Sequence, residues 1–188
     1  MCGSKQPDGP PAAKNNTAAP AEAAKPTIIN SAPAPKRVAT KKFLDAILQS
    51  KELTAALESF LTTEFCIENL LFIQKCGYYT EVFGKSDLEK QEDRVKLAGI
   101  RDDIQKEFMM PTSEREVNIP AKVKRECLIH LELLKSKGLK MEAEEYSEIG
   151  QNVFKNCENY VKGVLVQERI GRFTTSPGFE EASKGLSL

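Results

Sequence analysis

LTTEFCIENLLFIQKC, Leu61 to Cys76, is the stretch on which the fold turns. Phe65, Leu70, Phe72, Ile73 and Cys76 recur near helical spacing, which predicts one helix with these side chains in the core. Glu64, Glu68 and Asn69 interrupt the apolar run at its start. Acids in a first helical turn stabilise the macrodipole by a few tenths to about 1 kcal/mol. Taken alone, the three polar residues describe a good helix start before they describe a binding site.

Outward from this segment the pattern stays helical. Upstream, Phe43, Leu44, Ile47 and Leu48 form the stripe of a short helix, and Leu53, Leu57, Phe60 and Leu61 that of a second. Downstream the quoted segment continues to about Phe83, with Gly84 ending it. Ser86 and Glu89 have capping-box spacing and are expected to open the next helix. Its Leu97, Ile100, Ile104 and Phe108 repeat until Pro111 stops it, and residues 111–119 read as a loop. Pro120 suits the first turn of a helix with the face Val123, Cys127, Leu131 and Leu134, and Gly138 fits its C′ position. The last helices carry Tyr146, Ile149, Val153 and Phe154, then Tyr160, Val164, Leu165 and Ile170, with breaks expected at Gly163 and Gly171. Nothing alternates with a period of two. The expectation is an all-α domain over 41–173, followed by a short flexible tail over 174–188.

Composition bounds the rest. With 40% apolar and 29% charged residues the chain fits a soluble globular protein, and no run reaches the roughly 18 apolar residues of a membrane span. Seven of the ten prolines fall between Pro7 and Pro35, mixed with alanine, so residues 1–38 are expected to be a disordered tail. The net charge of zero hides an asymmetry: residues 1–42 carry seven basic and two acidic side chains, +5, which leaves −5 for the remainder. A basic tail on an acidic body suggests contact with an anionic membrane surface, although solvated linkers share this composition. Nucleic acid is not an expected partner. Cys2, Cys66, Cys76, Cys127 and Cys157 contain no CxxC pair, and with no signal segment they indicate reduced cytosolic thiols. With His130 the only histidine, neither a metal nor a cofactor is expected.

The loop EREVNIP, Glu114 to Pro120, gives the first helix a counterpart. An asparagine side chain donates and accepts at once, so Asn118 is able to orient a partner's amide and a water. With EFCIENLLF, the helix ending IQKEF and this EVNI loop in order, the chain resembles the RGS family, regulators of G-protein signalling. The resemblance implies a bundle of about nine helices that is not itself an enzyme. It would bind the switch segments of a GTP-bound G-protein α subunit and accelerate GTP hydrolysis there. Glu64, Glu68 and Asn69 would meet the switches, Asn118 would reach the catalytic glutamine, and Thr63, Phe65 and Val117 would flank them. The family also places an acid, a small polar residue and an arginine where its seventh helix meets its eighth. An alignment on Tyr160 assigns that third contact to Glu158, Asn159 and Lys162.

Departures from the family pattern, Ile73 for tryptophan, Ile67 for an acid and Pro120 and Ala121 at the rim, keep an alternative open. In it the domain is an RGS-homology scaffold without GTPase-accelerating activity. A thiol enzyme using Cys66, Cys76 or Cys127 lacks a partner for His130. Cys2 is a candidate for S-acylation, which with the basic tail would meet the two-signal requirement for anchoring a cytoplasmic protein to the inner face of the plasma membrane. An unmodified thiol is the plainer reading.

Overall fold

Thr40 opens the first helix, its hydroxyl accepting the Phe43 amide at 3.1 Å. This computed structural model describes residues 39–186, so the expected disordered tail and Cys2 lie outside the described residues. Helix α1, Lys41–Gln49, buries Leu44 and Ile47 and ends at Ser50. The Ser50 hydroxyl then caps α2, Lys51–Thr63, by accepting the Leu53 amide at 3.3 Å. Leu53, Leu57 and Leu61 form its buried stripe, as their four-residue spacing requires.

The stretch from Leu61 to Cys76 is not one helix. It breaks at Glu64, Phe65 and Cys66, and α3 runs from Ile67 to Lys85. Phe65 has φ 54°, the left-handed region, and this single residue turns the chain out of α2 and into α3. The turn points the Phe65 ring into solvent, where it is 94% exposed, which corrects its expected place in the core. Leu70, Phe72, Ile73, Cys76, Tyr79 and Phe83 are buried along α3, which packs against α2, α4, Gln91–Ile104, α6, Ala143–Gln151, and α7, Lys155–Leu165. It is the central helix of the domain.

Ser86 does not open α4. It ends α3, its hydroxyl donating to the Val82 carbonyl at 2.9 Å, while Asp93 accepts the Asp87 amide across the turn at 2.7 Å. Helix α4 runs into a π-helical turn, Gln105–Met109, before the loop that Pro111 begins. Helix α5, Ala121–Lys137, passes into a 3-10 turn at Gly138, which is right-handed where a left-handed C′ glycine was expected. Glycine is required there for closeness instead, because a Cβ would lie 3.1 Å from the Tyr146 ring. Gly150 on α6 is tighter still, 2.7 Å from the Phe83 ring.

No break occurs at Gly163 or Gly171. Helix α7, a second π-helical turn at Val166–Ile170 and α8, Gly171–Phe173, form one continuous rod. After it, Ser176 caps α9, Pro177–Ala182. Within the segment expected as a flexible tail, Pro177–Ala182 is thus folded, because Phe179 is buried and its ring meets Phe173 at 5.2 Å and Phe43 at 6.3 Å. The described residues contain no strand, and no helix among them is long and apolar enough to cross a membrane.

Candidate functional site

The break between α2 and α3 gathers Glu64, Glu68 and Asn69, three of the seven polar residues assigned to the contact surface in sequence. Glu64, at the end of α2, is bound by Arg172 of α8 through two contacts of 2.6 and 2.8 Å. Arg169, in the π-helical turn, approaches the same carboxylate at 3.6 Å. This fork-to-fork pairing fixes the plane of the Glu64 carboxylate, though in an exposed setting it adds no more than about 1 kcal/mol of stability. Next to it, burial pushes the Cys66 thiol up, against the opposing charge of Arg169.

Glu68 and Asn69 lie half-buried in the first turn of α3. The Asn69 amide donates to Glu68 Oε1 at 2.9 Å and to the Cys66 carbonyl at 3.2 Å. One residue thereby closes the turn and orients the neighbouring acid. Phe65 stands between these groups and Glu64, the most exposed large apolar side chain of the described residues.

The Asn118 loop is tied to α3 through the core. The Val117 amide donates to the Phe108 carbonyl at 2.9 Å, and the Phe108 ring meets Phe72 of α3 at 5.7 Å. Phe72 lies one turn beyond Asn69, so this tie sets the loop against the start of α3. Val117 and Ile119 are both buried, and the Ile119 amide closes a three-residue turn on the Val117 carbonyl at 2.9 Å. Asn118, at the middle of that turn, is held outward and exposed.

Glu158, Asn159 and Lys162 are not brought to this site. Glu158 is buried on α7 and pairs with Lys162 at 2.9 Å, and Lys162 also binds Asp45 of α1 at 2.8 Å. Helical phase explains it: Glu158 and Lys162 follow Cys157 and Val161 on the side that faces α1 and α3, beside Gln74 and Gly77. Asn159 is half-buried next to them. Burial alone would lower the Lys162 pKa, but its bonds to Asp45 and Glu158 outweigh this and hold it above the ordinary lysine value. The trio fastens the bundle internally.

The residues that the structure brings to Glu64, Arg172 and Arg169 with Glu168 beside it, were missed in sequence. Their signal was present: an acid and an arginine four apart in ERIGR, at the meeting of α7 and α8. Reading Gly171 as a break hid it. Among the thiols, burial holds Cys76 well above its ordinary value, which argues against a nucleophile there.

The described residues form an all-α domain with polar residues collected at the break between α2 and α3. A family profile, the regulator of G protein signaling domain, matches residues 43–182. The chain belongs to the RGS family, and with it to the proteins that regulate G-protein signalling. A search of curated proteins found no match to the chain.

Proposed function

We propose that the chain binds the switch segments of a GTP-bound G-protein α subunit and accelerates its GTP hydrolysis. The observation that carries this reading is Phe65. An aromatic ring held in a left-handed turn and 94% exposed serves nothing inside the fold, yet stands between Glu64 and the Glu68–Asn69 pair. Exposed aromatics in such settings are common anchors for a partner.

In the mechanism, the domain supplies no group to the chemistry. Both arginines near the site are engaged by Glu64, and α subunits carry their catalytic arginine in cis. Glu64, Phe65, Glu68 and Asn69 would hold the switches in their transition-state arrangement, which lowers the barrier by differential binding. Asn118 would orient the subunit's glutamine and the attacking water. The third contact falls to Glu168, 57% exposed, and to the Arg169–Arg172 pair behind Glu64. The +5 tail and Cys2 support recruitment to an anionic cytoplasmic leaflet.

Single-turnover GTP hydrolysis by a panel of α subunits, with and without the full chain, tests the reading. Acceleration is expected for at least one subunit and should fall about tenfold or more in Asn118→Ala with helicity unchanged. Binding to the transition-state form without acceleration would leave the RGS-homology scaffold as the function. Absence of both would overturn the reading.

A further inference from the structure

A buried guanidinium requires a counter-charge or a full set of hydrogen bonds, because taking it out of water is costly. Two arginines of α4 are buried, Arg94 and Arg101, and among the described residues no carboxylate lies within 4.0 Å of either. Arg94 is settled. It donates to the carbonyls of Leu88, Gly138 and Met141, tying α4 to the 3-10 turn after α5.

Arg101 is held by phenols instead of carbonyls, and among the described residues no buried side-chain nitrogen or oxygen lacks a hydrogen-bond partner. Only 3% of Arg101 is exposed, and its Nη1 donates to the Tyr146 hydroxyl at 2.7 Å. The Tyr79 hydroxyl, close enough to act on the Arg101 charge, gives its own proton to the Gly150 carbonyl at 2.9 Å. A guanidinium has five N–H donors, and these two phenols and the Tyr146 ring carry no formal charge. Tyr146 accepts from Arg101 and keeps its own proton to donate. Together they present a cation and a hydroxyl donor side by side.

Both side chains line a cavity of about 240 Å³ between α4 and α5. Ala98, Leu131 and Leu134 form apolar walls, and Asp102 and Lys135, both exposed, stand at the mouth with opposite charges. We propose that this cavity binds a small organic carboxylate, its anionic head on Arg101 and Tyr146 and its apolar body against Ala98, Leu131 and Leu134. Two buried guanidiniums, Arg94 and Arg101, line the cavity and favour an anion, and the apolar walls disfavour a bare, strongly hydrated ion such as phosphate. An apolar cavity of about 150 Å³ holds benzene, so benzoate is within reach of this one. None of these residues belongs to the surface proposed for the α subunit, so the two sites are tested separately.

The test is thermal unfolding and calorimetric titration of the full chain with sodium benzoate at constant ionic strength, with inorganic phosphate as a second arm. Benzoate should raise the Tm saturably, by roughly 5 °C at a hundred times its Kd, with one site per chain. The shift should vanish in Arg101→Met, and also in Ala98→Leu, which fills the space and leaves the charge in place. Ala98→Leu keeps the test decisive if Arg101→Met does not fold. Absence of a saturable shift, or an equal shift in Ala98→Leu, overturns the site. Saturable binding of phosphate in place of benzoate overturns its assignment to a carboxylate.

Discussion

Phe65 concentrates the relation between strain and use in this molecule. Holding an L-residue in the left-handed region costs about 1–2 kcal/mol, and a ring 94% exposed gains no burial to offset it. Glycine adopts that backbone freely but loses more entropy on folding, so Phe65→Gly should stabilise the domain by about 0.5–1 kcal/mol in denaturant titrations. The same variant should accelerate GTP hydrolysis less than the wild type. A loss of stability would show that the ring packs within the fold after all. The helical spacing of Phe65 with Leu70, Phe72 and Ile73 read as core, the family resemblance read it as a flanking contact, and nothing in its identity announces a positive φ. Asn118 was easier to read, because Val117 and Ile119 are apolar and leave the polar residue between them to face outward.

Elements were legible where apolar periodicity set them. The stripes of α1, α2 and α5 lie on the faces their spacing required, because burial of one face is what makes such helices stable. Helix ends were read less well. Ser86 and Glu89 match a capping box, yet a serine satisfies a C-terminal carbonyl as readily, and here it does. The two π-helical turns left no periodic trace, although they lead into the Asn118 loop and carry Glu168 and Arg169. A π turn re-aims the side chains beyond it by widening one turn of the helix, which is why such turns recur at functional sites. The alignment on Tyr160 assigned the third contact to Glu158 and Lys162, which pair with each other on α7 inside the bundle. Lys162→Met should therefore destabilise by about 2 kcal/mol at neutral pH by leaving the buried Glu158 with only the more distant Lys155, at 4.0 Å. Because the folded lysine sits above its ordinary 10.5, its stabilisation is complete at lower pH and is lost as pH rises through the folded value. The gap between variant and wild type should narrow in that alkaline range, followed by circular dichroism. Acceleration by the folded variant at neutral pH should match the wild type, and a large loss would return this trio to the binding surface.

At the scale of the whole molecule, an aromatic chain closes the bundle. Phe60 meets Phe173 at 5.6 Å, Phe173 meets Phe179, and Phe179 meets Phe43, so α1, α2, α8 and α9 share one apolar seam. The polar residues after Thr174 concealed this, since a single buried ring in a short helix produces no periodic signal. Phe179→Ala should lower stability by about 3–4 kcal/mol in denaturant unfolding, and a change under 1 kcal/mol would mean that α9 is dispensable to the core.

The clamp between Glu64 and Arg172 joins positions 108 residues apart. During synthesis α2 and α3 leave the ribosome long before α8, so the Glu64 carboxylate waits unpositioned until nearly the whole domain has emerged. A nascent or interrupted chain therefore displays the acids without their geometry. On the proposed function, competence to engage a signalling partner would arrive late and all at once, as a property of the finished domain.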